Sequence, residues 1–135
     1  MSTGDELQIV LFSFGFKYGT PVNVNYLMDM RFLPNPYWVE ALKEKTGKDS
    51  RVADYVLESN EGKATVAQLH SFLDFVVGQN RAAAKKTIRI GIGCTGGRHR
   101  SVAVTDDIAR YLRAQLISLT VFHRDIDKDS LLPAS

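Results

Sequence analysis

The sequence predicts an α/β sandwich, with a mixed or mostly parallel sheet of about four strands flanked by helices. Two apolar runs, LQIVLFSF at 7–14 and TIRIGIG at 87–93, are rich in β-branched and aromatic residues and read as buried strands. Segments with helical spacing of apolar residues lie between and after them, at 63–77 and 101–114. Strands separated by helices belong to layered α/β folds in which at least part of the sheet is parallel.

The first strand covers Leu7 to Phe14. Gly15 and Gly19 then bracket the loop FGFKYGTP, where Pro21 prevents a regular ladder from continuing. A second strand is expected to include Leu27 to Phe32, stopped by Pro34. Asn35-Pro36 reads as an N-cap followed by proline at the first helical position. It predicts a helix through Trp38, Leu42 and Lys45 that ends near Gly47. A short helix is expected around Val52 to Leu57. A longer one should run from about Lys63 to Val77, with Val66, Leu69, Leu73, Val76 and Val77 on one stripe. Arg81 to Lys86 leads into the strand Thr87 to Gly93. Its alternation puts Ile88, Ile90 and Ile92 on one face and Arg89 and Gly91 on the other. A helix over Ser101 to Ala114 and a strand over Leu116 to His123 complete the order.

The 135 residues fit one domain, 1–135, with about 126–135 expected to be a flexible tail. A net charge of +2 does not by itself identify a nucleic-acid binder, which needs cations clustered on one face. The single cysteine excludes an internal disulfide and any repeated cysteine spacing for zinc. Three histidines without a convergent carboxylate pattern argue against a catalytic metal. No apolar run approaches the ~20 residues that span a bilayer, so no membrane partner is expected. MSTGDELQ lacks the basic start and apolar stretch of a secretory signal, and the expected location is the cytoplasm.

The chemistry concentrates in residues 93 to 101, GCTGGRHRS, between a strand and a helix. Glycines 93, 96 and 97 allow a sharp turn and close approach of backbone N–H groups to a ligand. The following helix adds unpaired N–H groups and the positive end of its dipole, a ready anion site. Thr95 and Ser101 offer hydroxyls, and arginine can grip two oxygens of a phosphate or carboxylate. His99 and Arg100 are expected to point inward in preference to Arg98. The loop is neither a Walker A motif, lacking GK[ST], nor GxGxxG.

FGFKYGTP, DMRFLPNPYW, ADYV, IGIGCTGGRHRSV and HRD follow one another over roughly residues 12 to 125. In that order they resemble successive signatures of the C-terminal domain of the RapZ family, bacterial RNase adapter proteins. The resemblance implies a phosphofructokinase-like α/β fold and a pocket for an anion or aminosugar phosphate. It also implies a regulatory role with small-RNA binding in the full-length members. The pocket positions it carries over are Lys17, Cys94, Thr95, Gly96, His99 and Arg100, and the loop chemistry adds Gly97 and Ser101. Tyr37 stands where the family usually has a histidine before its tryptophan, which changes the expected ligand preference. The family's N-terminal Walker A domain is not among these residues, so the resemblance gives no reason to expect ATP hydrolysis. No cofactor is expected.

The expected partners are a phosphorylated small molecule or phosphate, RNA, a separately encoded nucleotide-binding protein and further copies of the chain. For RNA, the family's basic tail is replaced by HRDIDKDSLLPAS, where Asp125, Asp127 and Asp129 offset His123, Arg124 and Lys128. Like charge repels phosphate. The RNA-contact candidates are Arg81, Lys85, Lys86, Arg110, Arg113 and Arg124, with Arg89 able to join them.

A second, narrower resemblance covers Cys94 to Ser101. Cysteine, two residues, Gly97, two residues, Arg100 and serine are similar to the phosphate loop of cysteine-dependent tyrosine phosphatases. That reading makes Cys94 a nucleophile and Arg100 its oxygen clamp, with Asp125 or Asp29 as the required proton donor. Against it, Gly93 replaces the histidine usual before the cysteine. His70 is expected at the boundary of a helix stripe, and His123 near the loop. Phe14, Phe16, Tyr18 and Trp38 read as core aromatics before base-stacking platforms.

Overall fold

Four parallel strands form the centre of the protein in a computed structural model that describes residues 6–128. They are β1 (Gln8–Gly15), β2 (Tyr26–Asp29), β3 (Thr87–Cys94) and β4 (Ser118–His123), in the spatial order β2-β3-β1-β4. β3 lies along β1 from Gln8↔Thr87 to Gly15↔Cys94, and β4 flanks the other edge of β1. The three helices are α1 (Ser50–Leu57), α2 (Asn60–Ala82) and α3 (Arg100–Ala114). The expected α/β sandwich is present, and its sheet is wholly parallel.

The alternation in TIRIGIG sorts as its period requires. Ile88, Ile90 and Ile92 join Leu7, Ile9 and Leu11 in a core shared with Val56 of α1, Leu69 and Leu73 of α2 and Ile108 and Leu112 of α3. On the opposite face large meets small across the register, Phe12 beside Gly91 and Phe14 beside Gly93. A side chain on Gly93 would run into the rings of Phe14 and Phe16.

Some element bounds differ from expectation for local reasons. β2 stops at Asp29 because its carboxylate accepts from the Arg31 N–H at 3.0 Å and turns the chain. Asn35 does cap Tyr37, but only the short 3-10 turn Pro36–Trp38 follows, and no helix continues to Gly47. In a helix the Lys43 carbonyl would accept from Gly47. Here Gly47 N–H goes to the Arg98 carbonyl (2.8 Å) and Lys43 O accepts from His99. α2 begins earlier than expected because Ser59 caps it, and it absorbs Arg81 and Ala82. β4 begins at Ser118, since Leu116 sits in a turn with φ 60°. Of the expected tail, Lys128 closes a turn onto Asp125, and residues 129–135 lie outside the described residues.

Among the described residues, no helix is long and apolar enough to cross a membrane.

Candidate functional site

Because all four strands run the same way, the segments following them gather at one end of the sheet, where α/β folds bind ligands. The loop Thr95–His99 lies there between β3 and α3. Its approach to β1 is backbone against backbone: a Cβ on Gly15 would collide with Gly96 and with the Gly97 nitrogen. Gly97 itself has φ 78°, a left-handed conformation that glycine adopts without strain.

The loop leaves its donors unspent. Among the described residues, the N–H groups of Thr95, Gly96, Gly97, Arg98 and His99 donate no hydrogen bond. The first turn of α3 continues this run, with His99 at the N-cap giving no side-chain cap. Its first intrahelical bond to the loop is Ala103 N–H to His99 O. Four buried side-chain atoms also lack partners: Arg98 Nε, His99 Nδ1, Arg100 Nε and Thr105 Oγ1. Native proteins satisfy nearly all such atoms, and among the described residues these four all fall within residues 98–105.

Arg100 is buried, and its guanidinium is braced before any ligand arrives. Nη1 donates to the carbonyls of Arg31 (2.7 Å) and Leu33 (3.3 Å), and Nη2 to Thr95 Oγ1 (3.4 Å). Burial pulls its pKa below the usual arginine value, while Cys94 and Asp29 nearby oppose the shift. It is held rigidly beside the loop with Nε unbonded.

His99 is fully enclosed, and its Nε2 donates to Lys43 O at 3.1 Å. Burial, reinforced by the charges of Arg98 and Arg100, pushes its pKa down from 6.5 to about 4. The imidazole is therefore neutral at pH 7. It anchors the loop to the 43–47 segment and adds no positive charge. Arg98 is partly exposed and ties to Glu44 O at 3.3 Å.

Cys94 is buried, with Sγ 3.2 Å from Ser101 Oγ. The Lys17 N–H donates to Thr95 O at 3.1 Å, which fixes the β1–β2 connection against the loop. Both carboxyls offered as proton donors are engaged. Asp125 is buried, accepts from Gly15 N–H at 2.7 Å and pairs with Arg124 at 2.8 Å. Asp29 grips Arg31 through two oxygens, and that hydrogen bonding holds its pKa below the usual carboxylate value despite desolvation.

Two features escaped the sequence reading. Arg31 stacks on the Phe16 ring at 4.0 Å and lies near Cys94. Its signal was a cation just past a strand's carboxyl end. His123 belongs to a chain beneath the loop: Ser13 Oγ to Nδ1 at 2.7 Å and Nε2 to Asp106 at 2.9 Å. Asp106 is also 3.3 Å from Lys48. Burial works to raise the Asp106 pKa, but His123 and Lys48 outweigh it, so the carboxylate accepts and Nε2 carries the proton.

The RNA-contact candidates split between the amino end of the sheet, which holds four of the six, and two separate places. Lys85 and Lys86 precede β3 and Arg113 sits in the last turn of α3, all at the amino end of the sheet. Arg81, in the last turn of α2, lies at the same end beside Leu7 and Gln8. Arg110 borders a separate cleft of about 460 Å³ with His70 and Asp107. Arg124 follows β4 at the opposite end, where Asp125 and the carbonyls of Gly15 and Gly19 occupy it. His70 bonds to Asp107 at 2.7 Å, joining α2 to α3. Phe14 is core, whereas Trp38 is exposed. Among the described residues, no cluster of His, Cys, Asp or Glu could hold a metal.

The fold and the loop define the class of this protein as a parallel α/β sandwich whose strand-to-helix loop keeps its backbone N–H groups unbonded among the described residues. Comparison with known proteins places it further. The profile of the RapZ C-terminal domain matches residues 7–127, and the chain belongs to that family. A nucleotide-binding protein of Ruminiclostridium cellulolyticum is 46% identical over 117 residues, covering 87% of this chain and 40% of the relative. One of Corynebacterium aurimucosum is 46% identical over 128 residues, covering 93% and 44%. One of Kocuria rhizophila is 43% identical over 124 residues, covering 91% and 41%. The chain thus spans less than half the length of these bacterial relatives.

Proposed function

We propose that this chain is a regulatory binding module that holds the phosphate of a small phosphorylated molecule, of the aminosugar-phosphate type, in the 93–101 loop. One observation carries the reading: the unbonded N–H run from Thr95 to His99, continued by the uncapped first turn of α3. Backbone N–H groups need no titration to bind an anion, and those of a braced loop lose little entropy in doing so. Arg100 lends fixed positive charge, and the Thr95 hydroxyl offers a further contact. Family membership supports a regulatory role, in which occupancy of the loop biases the contacts of a larger protein with RNA or with another protein. On this reading the loop is the origin of specificity, and the cations gathered at the amino end of the sheet stand apart from it.

Calorimetry with glucosamine 6-phosphate and with inorganic phosphate tests the proposal. Saturable heat that weakens in Thr95→Val supports it. Absence of heat from folded protein, or an undiminished signal in that variant, removes the site.

A second reading, a cysteine-dependent phosphatase, is favoured by the 3.2 Å contact between Cys94 and Ser101. It requires a carboxylic acid to protonate the leaving oxygen, and Asp29 is held ionised by Arg31. Turnover of an aryl phosphate that vanishes in Cys94→Ser would establish it. Without turnover in the parent protein, the reading falls.

A further inference from the structure

The cleft of about 460 Å³ lies away from the 93–101 loop, between α1, α2 and α3. Its size falls within the roughly 300–1,000 Å³ of small-molecule sites. Its walls are short and aliphatic, Ala53 and Leu57 from α1 and Val66 and Ala67 from α2. The two alanines keep it open, since neither side chain extends beyond Cβ. One wall is fixed: His70 bonds to Asp107 at 2.7 Å and stacks on Tyr111 with ring centroids 3.8 Å apart. Asp74 in turn accepts from the Tyr111 hydroxyl at 2.9 Å.

The charges around the cleft are unevenly matched. Glu58 and Lys63 face each other at 3.9 Å where α1 turns into α2. His70 engages Asp107. Two side chains of opposite sign make no hydrogen bond among the described residues, Asp54 of α1 and Arg110 of α3. Arg110 comes to 3.9 Å from Asp107, beyond hydrogen-bond length.

We propose that this cleft is a binding site for a free α-amino acid with an aliphatic side chain. The Arg110 guanidinium holds the two oxygens of the ligand carboxylate. Asp54 accepts from the ligand ammonium, and the hydrocarbon lies along Ala53, Leu57, Val66 and Ala67. The class follows from what the lining leaves unmatched. An anion alone brings like charge to Asp54 and Asp107, and an amine alone brings it to Arg110 and Lys63. A zwitterion with an apolar tail answers both open charges and the aliphatic walls together. Exposed charges are worth little against water. Beside apolar walls the effective dielectric falls and each contact strengthens.

Nitrogen-15 amide spectra recorded during titration with L-leucine test the site. The expected result is saturation with a dissociation constant on the order of 1 millimolar or below, and shifts centred on Ala53, Ala67 and His70. Isopentylamine lacks the carboxylate, isocaproate the ammonium and glycine the hydrocarbon, and each should bind at least about tenfold more weakly. Asp54→Asn and Arg110→Gln, both at exposed positions, should weaken leucine at least about tenfold with unchanged circular dichroism. Ala67→Leu should abolish binding by filling the cleft, whereas Ala64→Leu, outside it, should not. Folded protein that shows no saturation up to about 50 millimolar leucine overturns the proposal. So does a single-charge analogue that matches leucine, or undiminished affinity in either charge variant.

Discussion

The N-termini of α2 and α3 solve the same problem in opposite ways. Each helix begins with N–H groups that have no partner within it. At α2, Ser59 accepts from Gly62 N–H at 2.9 Å, and Glu61 lies in the first turn. At α3, the N-cap residue His99 turns its ring away to Lys43 O and leaves the first turn bare. α1 follows α2, with Asp49 accepting from Arg51 N–H at 2.9 Å. A helix that only needs to be stable carries its own acceptor. On the proposed reading, α3 leaves the place empty for an anion, and its neighbours supply the rigidity. Around α3 that rigidity comes from Arg100 on the 31–33 carbonyls, Gly47 on Arg98 O and Gly15 packed against Gly96.

The contrast can be broken most forcefully where backbone meets backbone. Gly15→Val should destabilise the protein by about 3 kcal/mol and abolish phosphate binding, because β1 and the loop have no room to separate. Chemical denaturation measures the first effect and calorimetry the second. An affinity preserved in this variant would show that the loop does not need its seat on β1.

His99 should make stability depend on pH in a way the α2 terminus does not. Its folded pKa of about 4 lies below the ordinary 6.5, so the unfolded chain binds the proton more readily. The neutral ring's contribution is complete above pH 6.5 and is lost as the pH falls toward 4, up to ~3 kcal/mol. Urea titrations at several pH values should show this loss in the parent and a flatter profile in His99→Gln, which can still donate to Lys43 O. An unchanged slope would mean that carboxylates alone account for the acid sensitivity.

Thr95→Val should cost about 2 kcal/mol of phosphate affinity, roughly thirty-fold, with little change in melting temperature. Ser59→Ala sharpens the comparison from the other side. It should cost about 1 kcal/mol of stability and leave phosphate affinity untouched. The pair separates a ligand contact from a cap, and equal effects on affinity would erase the distinction between the two termini.

The strand TIRIGIG and the loop after it were legible because their information is local. Alternation sets the faces of β3, and three glycines with a following helix mark a tight strand-to-helix turn. The false helix over 36–47 shows where local information ends. Asn35-Pro36 is a sound start signal, yet the carbonyls that helix would have used go to His99 and Arg98, more than fifty residues away in sequence. Burial in the fold made His99 neutral, and Arg124 is committed to Asp125 and to the distant carbonyls of Gly15 and Gly19, neither of which a charge count could reveal. Arg31 went unrecognised because its position beside Cys94 depends on β2 and β3 being neighbours, a fact of topology and not of spacing.

The central claim concerns particular N–H groups, and nitrogen-15 amide spectra report each of them separately. Titration with inorganic phosphate should move the resonances of Thr95 through Val102 most, while the capped amides of Arg51 and Gly62 stay in place. Resonances of 95–102 that do not respond, or shifts centred on α1 and α2, would contradict the account.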